Sequence, residues 1–226
     1  MDHLRLSIVI PVLDDADALR LSLPRALDSA DQVVVVDGGS SDDSCRVARE
    51  LGAVVVESAA GRGVQLNRGA EQADGEVLIF LHADSELPAD ARSQIESAIA
   101  DGYQGGGSQI RFDVAGPLLR FGAGWINSRT RLTRLPLGDQ AQFVTSEAFA
   151  DVGGFNDWPI LEDLDFMRRL KRSHRVAVLP GPVITSSRRF RRLGSLKTIT
   201  INWAIWTLYA AGMAPERLSR WYRKVR

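Results

Sequence analysis

Four apolar segments separated by helical patterns constrain the fold of this chain more strongly than any other feature. They are LSIVIPV (6–12), QVVVVDG (32–38), AVVVES (53–58) and GEVLIFLHAD (75–84). Continuous β-branched runs of this kind are typical of strands that are buried on both faces of a parallel sheet. Since helical spacing fills the intervals, the sequence predicts an α/β fold with helices on both faces of a mostly parallel sheet.

The chain changes character after residue 102. We expect a flexible glycine run before a strand in YQGGGSQIRFDV, a helical or irregular segment in PLLRFGAGWINSRTRL, and one or two short strands in RVAVLPGPVITSS. A strongly apolar helix follows at 198–213 and leads into a short basic end. No stretch has the composition of a linker, so we expect a single domain over 1–226.

The net charge of zero hides an uneven distribution. From Arg188 onward there are ten Lys and Arg residues and one acid, Glu216, whereas the first 187 residues carry 18 Lys and Arg residues and 27 acids. A basic tail on an acidic body favours either an anionic partner (phosphate groups, an anionic membrane or nucleic acid) or a solvated helical surface. The single cysteine, Cys45, excludes an internal disulfide and favours a reducing compartment, so we expect a cytoplasmic protein.

Carboxylates follow three of the predicted strands, at the edge where open α/β sheets bind their ligands. Asp14 follows Pro11 and Val12, and Asp37 stands beside two glycines that allow close approach to the backbone. These groups can hold a planar base and a ribose by hydrogen bonds, or they can cap turns and helices. Asp84 ends the fourth predicted strand, and one carboxylate suffices for Mg²⁺ when a bound diphosphate supplies other oxygens.

Two groups of arginines are candidates for binding phosphate. Arg62 lies in a glycine loop before a helix, and this loop is neither a Walker phosphate loop nor a dinucleotide fingerprint. The second group is Arg188, Arg189, Arg191 and Arg192. Because no nucleic-acid-binding module accompanies them, we expect phosphate binding or a basic surface, and no nucleic-acid partner.

Three acids stand at the start of a predicted helix in LEDLDF: Glu162, Asp163 and Asp165. Neighbouring carboxylates raise one another's pKa, which suits a general base near neutral pH. The alternative is that they only stabilise the N-terminus of the helix. For His82, ahead of Asp84, a buried histidine with a hydrogen bond is the favoured interpretation.

In their order and spacing, several segments resemble the family-2 nucleotide-sugar glycosyltransferases. They are IVIPVLDD, VVVVDGGSSDDS, GRGVQLNRGA, GEVLIFLHADSELP, GDQAQFV, VGGF and LEDLDFMRRL. The resemblance covers roughly residues 6–175 and implies a GT-A fold, which is Rossmann-like, with a C-terminal helical segment. It also implies a nucleotide-binding half (1–102), an acceptor-binding half (103–187), and a basic loop and aromatic C-terminal helix (188–226).

The resemblance further implies roles for single residues. Base and ribose of the donor would contact Pro11, Val12, Asp14 and Asp37, with Arg62 near the nucleotide. His82, Ala83 and Asp84 match the family's Asp-x-Asp motif, with His82 in place of the first Asp. His82 and Ala83 would join the nucleotide contacts, and Asp84 would bind Mg²⁺ or Mn²⁺.

The acceptor side follows from the same resemblance. Asp163 would be the general base, paired with Glu162 in the family's Glu-Asp motif. The acceptor would be lined by Gly138, Asp139 and Gln140, and the diphosphate would be covered by Arg188, Arg189 and Arg192. The implied reaction is inverting transfer of a sugar, from a UDP-sugar first and a GDP-sugar second, to an unidentified acceptor hydroxyl.

Two other functions stay open. A sugar-1-phosphate nucleotidyltransferase would share the fold, but it usually has a basic glycine-rich loop after the first strand, where this chain has IPVLDD. A nucleotide-binding regulatory protein without activity is favoured only by His82.

The apolar helix 198–213 has two interpretations. Its length is below the roughly 20 residues that span a bilayer, but Trp203, Trp206 and Tyr209 could lie at a membrane interface, with the basic end on anionic lipid. The alternative, which Asn202 and Thr207 favour because they interrupt the apolar surface, is packing on the body or on a second copy in a homodimer. The sequence therefore leaves peripheral membrane contact through 198–226 and dimerisation open.

Overall fold

The computed structural model of the protein describes residues 3–225, and the side chains of residues 189, 195, 196 and 223–225 lie outside that description. Eight strands of the described chain form one sheet in the order β3–β2–β1–β4–β7–β6–β8–β5. The strands are β1 (Leu6–Val12), β2 (Gln32–Asp37), β3 (Val54–Glu57), β4 (Val77–Phe80), β5 (Ser85–Glu86), β6 (Gly105–Phe112), β7 (Gln142–Thr145) and β8 (Val176–Thr185).

Helices cover both faces of this sheet, and the C-terminal helices pack on other helices. The helices of the described chain are α1 (Ala16–Ser29), α2 (Ser44–Glu50), α3 (Arg62–Gln72), α4 (Ala91–Ala100), α5 (Pro117–Thr133), α6 (Ser146–Asp151), α7 (Glu162–Ser173), α8 (Arg188–Leu193), α9 (Ser195–Ala210) and α10 (Pro215–Val225). A 3₁₀ turn, Gly138–Gln140, precedes β7.

The first half of the sheet is parallel, as the periodicity predicts. β1 pairs in parallel with both β2 and β4, and β2 with β3. Side chains of β1 alternate between two buried clusters: Ile8 and Ile10 belong to one, and Val9 belongs to the other. This alternation confirms that both faces of the sheet are covered.

The second half is mixed in direction. β7 is antiparallel to both β4 and β6, and β8 runs parallel to β6. Two antiparallel steps restore the original direction, so β6 and β8 end at the same edge of the sheet as β1, β2 and β4. This edge therefore collects the residues that follow the strands of both halves.

The glycine run is the clearest difference from the sequence prediction. Gly105, Gly106 and Gly107 are buried within β6 and are not a flexible lead-in. A Cβ on Gly107 would lie 2.6 Å from Cβ of Pro136, and one on Gly105 would lie 2.8 Å from Cδ2 of Leu170. Glycine is thus required because neighbouring elements approach the strand closely, not because the chain must bend.

Two further predictions are refined by the structure. The segment after Arg175 forms one ten-residue strand, β8, which pairs with β6 across an irregularity at Ser108/Gln109. The fourth strand ends at Phe80, and Ala83 and Asp84 form a turn behind it.

The C-terminal part is helical. α9 covers most of the predicted apolar helix and contacts α5, α8 and α10. Among the described residues, no helix is both long and apolar enough to cross a bilayer.

Candidate functional site

Asp37 and Asp14 organise the loop that follows β2. Val12 and Asp37 are register partners at the ends of their strands. Asp37 accepts hydrogen bonds from the backbone N–H groups of Gly39 and Ser40, both at 3.0 Å. Burial alone would raise the pKa of Asp37, but the hydrogen bonds from Ser40 and Gly39 outweigh it and leave the pKa lowered. The carboxylate is therefore ionised and fixed at neutral pH.

Asp14 has a left-handed backbone conformation, with φ 50°, and reaches across to the same loop. Its carboxylate accepts hydrogen bonds from the N–H of Ser41 at 2.7 Å and from the Ser41 hydroxyl at 3.0 Å. Asp14 thus shapes the rim of the proposed base site by holding the β2–α2 loop against the end of β1.

Gln65 is a structural residue of the site that the sequence analysis missed. It is buried, and its side-chain amide donates to the carbonyl of Val12 at 3.0 Å and to the carbonyl of Val36 at 2.8 Å. Its hydrogen bonds therefore link the carboxyl ends of β1 and β2. A polar residue at a buried position of α3 is the only signal that the sequence offers.

Asp84 is placed at the edge beside Asp15 and Arg188. Arg188 forms a two-pronged ion pair with Asp15, at 2.7 and 2.6 Å, and its Nη2 lies 3.7 Å from Oδ2 of Asp84. Burial raises the pKa of Asp84, against the attraction of Arg188. Asp84 and Arg188 therefore lie close together, as predicted. Asp15 is a third charged residue in the same cluster.

Pro11, Val12 and Ala83 contribute mainly backbone at this edge. Val12 is buried and Pro11 is partly exposed, where β1 ends. The buried Ala83 accepts a hydrogen bond from the hydroxyl of Ser22 at 2.5 Å, so the turn before Asp84 is tied to α1.

The 3₁₀ turn brings Gly138 against His82 and Asp163. The N–H of Gly138 donates to Oδ2 of Asp163 at 2.6 Å. A Cβ on Gly138 would lie 2.9 Å from Nε2 of His82 and 3.2 Å from that carboxylate oxygen. Nε2 of His82 is buried and has no hydrogen-bond partner among the described residues, so the predicted hydrogen bond is not found at this nitrogen. Burial, and then the charge of Arg62, hold the pKa of His82 well below its usual range, so the ring is neutral.

Glu162 and Asp163 begin α7 at this point, after a left-handed Leu161 with φ 66°. Asp163 also accepts from the N–H of Leu164 at 2.7 Å, so each of its oxygens is held. Glu162 is buried, its Oε1 has no hydrogen-bond partner, and Arg62 lies 3.7 Å away. Burial, and then the charge of Asp163, raise the pKa of Glu162 to about 7.

Asp139 and Gln140 differ sharply in exposure to a ligand. Asp139 has an unpartnered buried Oδ1, and burial, followed by the charge of Asp163, raises its pKa to about 6. Gln140 is fully buried. Its side-chain amide donates a hydrogen bond to the carbonyl of Ser108, and its side-chain oxygen accepts hydrogen bonds from the hydroxyl of Thr130 and the backbone N–H of Leu137. Its side chain thus supports the turn from behind, and any effect on an acceptor would be indirect.

Arg62 is close enough to several titratable side chains of the site to affect their pKa values. Its positive charge acts on four groups: His82, Asp84, Asp139 and Glu162. About half of its side chain is exposed, so it is accessible to a ligand. The structure therefore brings Arg62, Asp84 and the Glu162–Asp163 pair together, as the sequence motifs predict.

The other arginines of the basic group, Arg189, Arg191 and Arg192, lie on α8. Arg192 is exposed on α8, and the side chain of Arg189 lies outside the described part of the chain. Arg129, another residue the sequence analysis missed, joins α5 to the 3₁₀ turn through a 3.1 Å hydrogen bond to Gln140. Across the described residues there is no group of three His, Cys, Asp or Glu side chains suited to a metal ion.

Curated relatives resemble part of the chain. An undecaprenyl-phosphate 4-deoxy-4-formamido-L-arabinose transferase of Proteus mirabilis is 28% identical over 121 residues, or 47% of this chain and 37% of the relative. A transferase of the same name from Aeromonas hydrophila is 32% identical over 121 residues, or 46% and 36%. The chain thus spans little more than a third of the length of these relatives.

Solved structures resemble a larger part of this chain. S. aureus TarS 1-349 in complex with UDP has a TM-score of 0.63 at 18% identity, covering 80% of this chain and 60% of that one. The mannosyltransferase PcManGT from Pyrobaculum calidifontis, in complex with GDP-Man and Mn²⁺, has a TM-score of 0.63 at 17% identity, covering 98% and 68%. These neighbours show the GT-A fold.

The family itself is shown by a sequence profile. The profile described as Glycosyl transferase family 2 matches residues 7–147, which is more than half of the chain. This range contains the ends of β1, β2 and β4 and the 3₁₀ turn of the site. The chain therefore belongs to glycosyl transferase family 2.

Proposed function

We propose that this chain is an inverting transferase that moves a sugar from a nucleoside diphosphate sugar to an acceptor hydroxyl. The observation that carries the proposal is the meeting of Asp37, Asp84 and the Glu162–Asp163 pair at one edge of the sheet. A UDP-sugar is the first candidate donor and a GDP-sugar the second, and the UDP and GDP-Man complexes of the structural neighbours support both. In this proposal residues 1–102 bind the donor and 103–187 bind the acceptor.

Asp37 would receive the base or ribose of the donor. Its ionised oxygens accept from two backbone N–H groups and retain lone pairs for a ligand hydroxyl or ring N–H. The neighbouring Gly38 cannot gain a side chain freely, since a Cβ there would lie 3.0 Å from Nε2 of Gln65. A Cβ on the next residue, Gly39, would by contrast meet nothing within 4 Å, so a nucleoside could approach the backbone of the β2–α2 loop at that residue.

Asp84 would hold Mg²⁺ or Mn²⁺, and the donor set fits. A carboxylate oxygen is the ligand that hard divalent cations prefer, and a bound diphosphate would complete the sphere. When bound, such an ion neutralises charge on the leaving diphosphate. Arg62, Arg188 and Arg192 would add charge-assisted hydrogen bonds to the same oxygens.

Asp163 would remove the proton from the acceptor hydroxyl as that oxygen attacks the anomeric carbon. Its two N–H donors fix the orientation of the carboxylate and leave lone pairs for the incoming proton. Glu162 and Asp139 stand close by with raised pKa values, and both carry an oxygen without a partner. We assign these oxygens to hydrogen bonds with the acceptor.

A second acceptor class is favoured by the curated relatives, whose name contains undecaprenyl phosphate. A phosphate oxygen would need no general base, because it is already ionised. This alternative therefore predicts that Asp163 has a positioning role only.

The experiment is a calorimetric screen of UDP, GDP, CDP and ADP, each with and without Mn²⁺, on the wild type, on Asp84→Asn and on Asp90→Asn. Asp90 lies in an exposed position six residues further along and serves as the matched control. We expect one nucleotide to bind tightly with Mn²⁺, and we expect Asp84→Asn alone to lose this dependence on metal. An inverted anomeric configuration in the product, observed by NMR, would complete the test.

Binding of no nucleotide would overturn the proposal and favour a degenerate fold without enzymatic activity. Tight binding that ignores both Mn²⁺ and Asp84 would remove the metal from it. A product with the donor's anomeric configuration would contradict the single-displacement mechanism.

A further inference from the structure

An apolar stripe lies on the solvent side of α5. Leu118, Phe121, Trp125 and Leu132 are 40%, 71%, 52% and 87% exposed. At 100° per residue these four positions fall within about 60° of one another on the helix surface. Helices of a globular protein usually place their apolar stripe towards the core, so this helix has the reverse arrangement over part of its circumference.

The stripe continues onto a second helix. Trp203 of α9 is 53% exposed and stacks on Trp125, with ring centroids 5.3 Å apart. Val114, in the segment before α5, is 42% exposed. We call these six residues the aromatic face. An exposed apolar surface that joins two helices in this way marks a docking site rather than scattered exposure.

The charge around the aromatic face is mainly positive, although Asp113 precedes Val114 and lies 3.8 Å from Arg191. Between Asp113 and Asp139 the sequence has four arginines and no acid. Arg120, Arg131 and Arg134 are exposed on or next to α5. On the other side, the chain from residue 188 onward carries ten Lys and Arg residues and the single acid Glu216. A second copy docked through the same face would bring like charges together, whereas an anionic surface would be complementary.

We propose that the aromatic face is an interfacial membrane-binding site for a bilayer that contains anionic phospholipid. Phe and Trp side chains would enter the boundary between headgroups and acyl chains, and the surrounding arginines would pair with lipid phosphates. The membrane contact is predicted for residues 198–226. In this inference, most of the contacting residues lie on α5 instead. The inference goes beyond the proposed transfer reaction and does not depend on the identity of donor or acceptor.

The face is connected to the candidate active site. α9 starts shortly after α8, which carries Arg188, and its far end is near Trp158, whose ring centroid is 6.5 Å from that of Tyr209. Trp158 belongs to the loop that leads to Glu162. Binding of α9 and α5 to a bilayer would therefore bring Arg188 and the loop before Glu162 close to the lipid surface.

The test is flotation of the full chain with vesicles of pure phosphatidylcholine and with vesicles that also contain phosphatidylglycerol, an anionic phospholipid. The variant is the double substitution Phe121→Ser and Leu132→Ser. Both side chains are more than two-thirds exposed, so the fold should be retained. The matched control is Leu21→Ser, because Leu21 is 76% exposed on α1, outside the aromatic face.

We expect the wild type and Leu21→Ser to float with the anionic vesicles, and the double variant to lose about tenfold or more in apparent affinity. Binding should weaken in high salt. Nucleotide binding, measured in parallel, should be the same in all three proteins.

Equal flotation of all three proteins, flotation with neutral vesicles alone, or no flotation of the wild type would overturn the proposal. A dimer that the double variant disrupts, found by ultracentrifugation together with absent flotation, would assign the face to a second copy instead. Nucleotide binding that persists in any of these cases would leave the proposed transfer function standing.

Discussion

Arg188 is held by Asp15 across 173 positions of sequence, through two hydrogen bonds of 2.7 and 2.6 Å. The same guanidinium lies 3.7 Å from the carboxylate of Asp84. Pairing with Asp15, followed by the charge of Asp84, raises the pKa of Arg188 above its usual range. The arginine expected to meet the donor diphosphate thus neutralises the proposed metal-binding carboxylate when no donor is bound.

Removing Arg188 should therefore have opposite effects on metal and on nucleotide. We expect Arg188→Ala to strengthen binding of Mn²⁺ alone by roughly two- to fivefold, because a partly exposed ion pair is worth up to about 1 kcal/mol. Binding of the nucleoside diphosphate to the metal-loaded protein should weaken. Electron paramagnetic resonance of Mn²⁺ and calorimetry measure the two constants.

Arg46→Ala is the control, since Arg46 forms ion pairs of similar length with Asp43 and Glu50 on α2. Weaker binding of Mn²⁺ to Arg188→Ala than to the wild type would contradict competition between the arginine and the ion.

Substituting Asp163 should separate the two acceptor classes. Asparagine can still accept the hydrogen bond from Gly138 but cannot take a proton. For a hydroxyl acceptor we expect Asp163→Asn to lower kcat by roughly 10²- to 10⁴-fold with little change in donor binding. Steady-state kinetics measure this loss, and Glu147→Gln, an acid of α6, is the control. A loss of only a few-fold would favour an acceptor that is already ionised.

Glu162 should make the protein less stable at higher pH. Its pKa is about 7 in the folded chain against an ordinary value of 4.5, so the folded state keeps the proton to a higher pH than the unfolded state does. Stability from this group is complete below pH 4.5 and is lost as the pH rises through 7. The loss is on the order of 3 kcal/mol at most.

Glu162→Gln removes this titration. We expect its free energy of unfolding, measured with urea, to exceed that of the wild type more at pH 8 than at pH 5. An equal difference at the two pH values would show that the proton on Glu162 does not affect folding.

Gly138→Ala should damage the site more than the fold. The new methyl group would stand 2.9 Å from Nε2 of His82 and 3.2 Å from Oδ2 of Asp163. A displaced carboxylate should reduce kcat by about tenfold or more. Gly124→Ala is the matched control, because a Cβ at Gly124 meets nothing within 4 Å, and alanine should stabilise α5 by about 0.5–1 kcal/mol.

Thermal denaturation beside steady-state kinetics separates the two effects. Full activity in Gly138→Ala would mean that the 3₁₀ turn is free to move away from His82 and Asp163.

The sequence by itself determined the parallel half of the sheet and the ends at which its carboxylates stand. Each strand–helix–strand unit there is local, and the period of its apolar residues reports directly on burial. Asp37 and Asp84 could be placed for this reason, since a residue that follows a buried strand must emerge at the edge of the sheet.

Only the tertiary structure decided how the two halves meet. The antiparallel entry of β7, the burial of the glycines in β6, the hydrogen bonds of Gln65 and the pairing of Arg188 with Asp15 all depend on contacts between segments that are distant in sequence. The local pattern of apolar residues does not predict such contacts. In the sequence, a glycine, a glutamine or an arginine in an exposed loop cannot be distinguished from one that packs against a neighbouring element. The sequence therefore supplied the reactive groups, and the packing of the mixed half of the sheet gave them their neighbours.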